Sequence, residues 1–168
     1  MADFLWGINP TQVDTVAQYT LGTESRDPRT RDFPNNLIRY IKAGGTIALG
    51  DSLIASTSDA DEPNTLTATS AIQQSIVAIA HVAIASGSFG WVTAHGRVAS
   101  AKAAASTAAN ARLGSSASAG TLQTLTQADS NFTSNDYFEV LAYAMSPIIA
   151  LDANDSNGAN IEVFIGQG

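Results

Sequence analysis

The sequence predicts an all-β or β-dominated fold, a compact β-barrel or sandwich-like single domain with an N-terminal arm. Three observations predict it. Large apolar residues come in short clusters of branched and aromatic side chains, such as Leu37-Ile38-Arg39-Tyr40-Ile41 and Phe89-Gly90-Trp91-Val92-Thr93, and these side chains suit a pleated surface better than a helix. The clusters are separated by Gly, Pro, Asn and Asp, the residues of turns. At 168 residues the chain is long enough to bury one core without a metal or disulfide staple, and it contains no cysteine. The expected division is an arm over residues 1–20 and one β-rich domain over 21–168.

In the arm, Phe4, Leu5, Trp6 and Ile8 precede Pro10, and Val13, Val16 and Tyr19 follow among polar residues. So apolar a terminus is expected to dock on a neighbour, the alternatives being packing onto its own domain or a short helix from Thr11 to Tyr19. Leu21 to Pro34 holds the densest charge, with Arg26, Arg29 and Arg31 among acids and two prolines. A solvated loop explains it; so does a polar contact to another subunit, for which Arg is favoured. Leu37 to Lys42 and Thr46 to Ile54 read as two strands joined by the Gly44-Gly45 turn, and Ser56 to Ser70 as a polar surface loop. In Ile72 to Ala85 the apolar alternation changes phase near Ala80-His81, where a β-bulge is expected. Trp91 then lies in a strand between turns at Gly87 and Gly96.

The stretch from Ala85 to Thr121 also carries a resemblance. Gly87-Ser88-Phe89-Gly90-Trp91-Val92, then an Ala-rich segment, Asn110-Ala111-Arg112-Leu113 and Ser116-Ala117-Ser118-Ala119-Gly120-Thr121-Leu122, resembles the capsid cement or decoration proteins of tailed bacteriophages. Lys42-Ala43-Gly44 followed by Leu49-Gly50-Asp51-Ser52-Leu53-Ile54 is similar to an element early in the same family. The resemblance implies a small β-rich virion protein on the capsid outer surface, bridging neighbouring major capsid protein subunits and often assembled as a homo-trimer. Its candidate contact residues here are Phe4, Leu5, Trp6, Ile8, Arg26, Arg29 and Arg31. A receptor-binding or fibre-base domain is the alternative, although the internal repeats usual in fibres are missing.

Ala content favours a helix between Val98 and Leu113, but no large apolar residue lies between them to form a stripe. With the resemblance, strand and loop is the expectation there, a short helix the alternative. A turn at Asn131 to Asn135 precedes the apolar run Tyr137 to Leu151, broken at Pro147, which belongs at an edge or bulge. Asp152 to Gly158 reads as a turn into a last strand, Ala159 to Ile165.

Composition narrows the partners. Only 14% of residues are charged and the net charge is −7, so a basic phosphate-binding face is not expected and nucleic acid is excluded as a partner. The longest apolar stretch, Ile76 to Ala85, contains His81 and is too short to span a bilayer. The first residues lack the basic start and apolar core of a secretion signal, which makes synthesis in the host cytoplasm the expectation.

No catalytic, cofactor or metal site is expected. Gly45 to Ser52 has the spacing of a phosphate loop but places Asp51, an anion, where Lys must meet the phosphates. The nucleophile elbow Gly-x-Ser-x-Gly is absent. Asp152 to Glu162 puts its glycine and glutamate out of register with a calcium loop, and Asn157-Gly158 is a common hairpin turn. Asn131-Phe132-Thr133 is a glycosylation sequon by pattern alone. His81 is expected to be a hydrogen-bonded core or interface side chain, and His95 to cap a turn before Gly96.

Overall fold

The computed structural model describes residues 8–27, 36–56, 64–71, 75–104, 107–125, 148–150 and 161–166. These form eleven strands and no helix: β1 (Val13–Asp14), β2 (Glu24–Arg26), β3 (Leu37–Ala43), β4 (Ser52–Ala55), β5 (Thr65–Ala68), β6 (Ala78–Ile79), β7 (Phe89–Ala101), β8 (Arg112–Ser115), β9 (Leu122–Thr124), β10 (Ile148–Ala150) and β11 (Ile161–Ile165). The strand-and-loop expectation for 98–113 is met in its described residues.

Five strands close a barrel in the order β3-β5-β4-β6-β7 and back to β3. Directions cannot alternate all the way round an odd ring, so one neighbouring pair must be parallel; it is β3 with β5. Ile41, Ile47, Leu53, Leu66, Ile84 and Val92 fill the interior with Ala43, Ala78 and Ala80. Gly90 is part of that fit, since a Cβ there would lie 2.9 Å from Ile84 Cδ1.

The thirteen-residue β7 belongs to two sheets. Its first half pairs with β3, β6 and β1, whereas from Gly96 onward it pairs with β11, and the second sheet continues β11-β10-β8-β9. That sheet curls back on itself. Leu122 in β9 accepts from Ala104 N–H and donates to Lys102 O, just beyond the end of β7. Its core holds Val98, Ala101, Ala103, Leu113, Leu122, Ile148, Ala150, Val163 and Ile165, joined by Ile79 from the barrel. In β11 the expected alternation holds, with Val163 and Ile165 buried and Phe164 exposed.

The structure corrects several local expectations. Gly96 is no turn: it sits inside β7 at φ 108°, where Asn36 Oδ1 accepts from Arg97 N–H at 2.8 Å and Asn36 Nδ2 donates to Arg97 O at 2.7 Å. A side chain arriving from 61 residues away thus bonds both backbone groups of Arg97. His95 accordingly lies within the strand and not at a turn, edge-on to Phe164 at 5.6 Å. Ser56 to Ser70 contains β5, with Thr65 and Leu66 fully buried, because Thr-Leu-Thr alternation serves a strand once both neighbours, β3 and β4, are supplied. The strands on either side of Gly44-Gly45 are not partners, since β5 lies between them and β4 begins only at Ser52.

Around Ala80-His81, where a β-bulge was expected, the strand ends instead: β6 stops at Ile79, and Ile84 then bridges to Ile47. Asn131 to Asn135, Pro147 and Asp152 to Gly158 lie outside the described residues.

Candidate interaction surface

Residues 8–23 form a strap across the outer face of β3 and β7. Strand alternation puts Ile38 and Tyr40 of β3, and Trp91 of β7, on the outside of the barrel wall, and Tyr40 and Trp91 are directly paired. Left bare they would expose a large aromatic patch to water, so the strap covers them. Ile8 packs with Ile38, Tyr40 and Trp91, and Tyr19, Leu21 and Phe89 close around them. Tyr19 meets Tyr40 and Trp91 edge-on at 5.1 and 5.3 Å, a favoured aromatic geometry.

Polar bonds fix the strap's position. The Tyr40 hydroxyl donates to Asp14 Oδ2 at 2.9 Å and accepts from Gln18 N–H at 3.2 Å. Burial, helped by the Asp14 carboxylate and opposed by the Gln18 N–H, leaves the Tyr40 phenol pushed up to about 12. His81 Nε2 lies 2.9 Å from Pro10 O, which can only accept, so Nε2 carries the proton; Nδ1 lies 2.9 Å from Thr93 Oγ1. His81 is thus hydrogen-bonded, as expected, and half-buried.

Of the predicted contact residues, Ile8 is only 7% exposed and belongs to its own domain's core. It is therefore not available to a neighbour; the physical reason is the aromatic patch beneath it, a nearer apolar partner than any second molecule. The helix alternative for Thr11 to Tyr19 is also replaced, by β1 pairing Val13 and Asp14 with Gly90 and Phe89. Arg26 stands exposed at the end of β2, opposite Leu37. Phe4, Leu5, Trp6, Arg29 and Arg31 lie outside the described residues.

The stretch that mimicked a phosphate loop has a structural role. Asp51, 4% exposed, accepts from Ala48 N–H at 2.7 Å and from Lys102 Nζ at 2.6 Å. Gly50 donates to Ala80 O and accepts from Lys102 N–H, and Ser52 donates to Gly120 O, so this turn ties the barrel to the second sheet. Side chains have no room there: a Cβ on Gly50 would lie 2.7 Å from Ser100 O, and one on Gly120 would fall on the Asp51 carboxylate. Both glycines also hold positive φ, 82° and 68°. The roles of Lys102 and Asn36 have no local sequence signal, since each depends on a partner far along the chain.

Four large apolar side chains stand exposed among the described residues: Val13, Val16, Leu49 and Phe164. Val13 and Val16 share the strap; neither is among the contact residues that the sequence singles out, which in the arm all precede Pro10. Among the described residues no three His, Asp or Glu side chains come together as a metal site.

In comparisons with known proteins, no family model and no curated protein matches this chain.

Proposed function

We propose that the protein is a non-catalytic structural component of a phage virion, which binds the outer surface of the head and stabilises it by bridging neighbouring major capsid subunits as a homo-trimer. The observation that carries this reading is where the polar side chains go. His81, Asp51, Tyr40 and Asn36, the groups best suited to chemistry or recognition, are engaged in holding the fold together. What faces outward on the strap is neutral and partly apolar, a surface suited to lying against protein. The sequence resemblance over Gly87 to Leu122 supports the same reading; those residues build β7, the strand shared by the two sheets, and β8 of the second sheet.

The mechanism is linkage. A protein that binds only the assembled shell stabilises it by RT ln(1 + [L]/Kd), and contacts to two subunits at once raise the effective concentration of the second contact. The test is to add the purified protein to undecorated heads and measure its copy number per major capsid subunit, together with the temperature at which the heads come apart. Saturable, stoichiometric binding with a raised disruption temperature is expected. Absence of binding, or binding without any gain in head stability, would reject the proposal.

A further inference from the structure

We propose that the outward face of the strap, centred on Val16 and Val13, is the surface that meets the capsid, at an uncharged apolar joint between neighbouring capsid subunits; this rests on the reading of the protein as a head-binding component. Val16 is 68% exposed and Val13 39%, two large apolar side chains three residues apart. Elsewhere among the described residues such exposure is solitary. Leu49 lies two residues from the Asp51–Lys102 ion pair, and Phe164 stands opposite Arg97 in the β7–β11 register.

Charge separates the strap from those sites. Residues 8–23 contain a single charged side chain, Asp14, and its carboxylate is occupied, Oδ2 by the Tyr40 hydroxyl and Oδ1 by Gln12 Nε2 at 2.6 Å. The rest of the exposed surface is uncharged, Asn9, Thr11, Gln12, Thr15, Ala17, Gln18 and Thr20 beside the two valines. Covering such a face desolvates no free charge, and charge depletion marks the centres of protein interfaces. The strap offers no cation, which disfavours nucleic acid and anionic lipid as occupants.

A further feature favours a protein joint. The strap is already immobilised by β1, by Tyr40 and by His81, so docking it costs little ordering entropy.

The experiment compares full-length wild type, Val16→Asp, Val16→Ser and Leu49→Asp for co-sedimentation with undecorated heads, thermal unfolding, and oligomeric state by light scattering. Val16→Asp is expected to weaken attachment at least tenfold, Val16→Ser severalfold, and Leu49→Asp not at all, with unfolding temperature and oligomeric state unchanged in each. If wild type binds and Val16→Asp binds equally well, this face is not the contact, while the head-binding reading stands. Were Val16→Asp instead to change the oligomeric state, the face would be a contact between copies, which also overturns the inference. Equal loss in Leu49→Asp would show a general effect of added charge and overturn it too. Failure of wild type to bind is a different result, because it removes the head-binding reading itself.

Discussion

The barrel and the second sheet are made in different ways. Barrel strands β3 to β7 close on themselves, and their wall is buried on both sides, with Ile41, Ile47, Leu53, Leu66 and Ile84 inside and Tyr40 and Trp91 outside, under the strap. The second sheet adds β8 to β11 to the last half of β7, and its described core, Val98, Leu113, Leu122, Ile148, Val163 and Ile165 with three alanines, contains no aromatic side chain. A core without large aromatic residues removes less apolar area per residue from water, so it gains less from burial. The second sheet therefore leans on its seams with the barrel: Asn36 clamping the chain at Gly96, and Asp51 bound to Lys102. The difference teaches that stability here is concentrated at one end of β7 and communicated along it.

Removing bulk at the barrel end should have the largest effect. Trp91→Ala deletes a side chain 1% exposed that touches Tyr40 and Tyr19, and should cost about 3–5 kcal/mol, seen as a lower midpoint in denaturant unfolding. Since Trp91 lies on β7, the strand common to both sheets, both should lose hydrogen-exchange protection together. Loss confined to the barrel would mean that β7 does not couple them.

Tyr40 gives a sharper probe of the strap. Its phenol is raised from 10.0 to about 12, chiefly by burial, so between those values the folded protein keeps a proton that the unfolded chain has lost. The stabilisation is complete below pH 10.0 and drains away as pH rises through about 12. The expected loss across that window is on the order of 2–3 kcal/mol, measurable by urea unfolding at a series of alkaline pH values. Tyr40→Phe should remove this part of the alkaline slope. An unchanged slope would place the titration elsewhere.

The seam should give the smallest effect and the most selective one. Lys102→Met leaves the Asp51 carboxylate buried, with Ala48 N–H still donating to it, but Lys102 itself is 37% exposed, and solvent screens much of the pair. A loss of about 1–2 kcal/mol is expected. Amide exchange should then quicken in β8 and β9 before it does in β3 and β5. Uniform quickening would show that the two sheets unfold as one unit whichever seam is weakened.

The strands with a strong local pattern were legible without the fold: β3, the Trp91 end of β7, and the Val163–Ile165 alternation in β11. So was the hydrogen-bonded role of His81, since a lone histidine in an apolar run must find partners when it is covered. The contact residues were less so. Ile8 looked like an anchor for a neighbour, because its apolar character is visible in sequence while the aromatic patch that claims it, Ile38 with Tyr40 and Trp91, is assembled only by the pairing of β3 with β7.

Residue chemistry alone determined the all-β class, since branched and aromatic side chains in short runs prefer a pleated surface whatever their partners. It also determined that Asp51 is unsuited to bind phosphate, a matter of charge. Tertiary structure decided where β7 ends, that Thr65 and Leu66 are core, and what Asp51 does instead. Each of these depends on a group distant in the chain: Asn36 for Gly96, β3 and β4 for β5, Lys102 and Gly120 for Asp51. A strand's hydrogen bonds are made to other strands, so its limits and its buried face are properties of the assembled sheet and not of the segment itself.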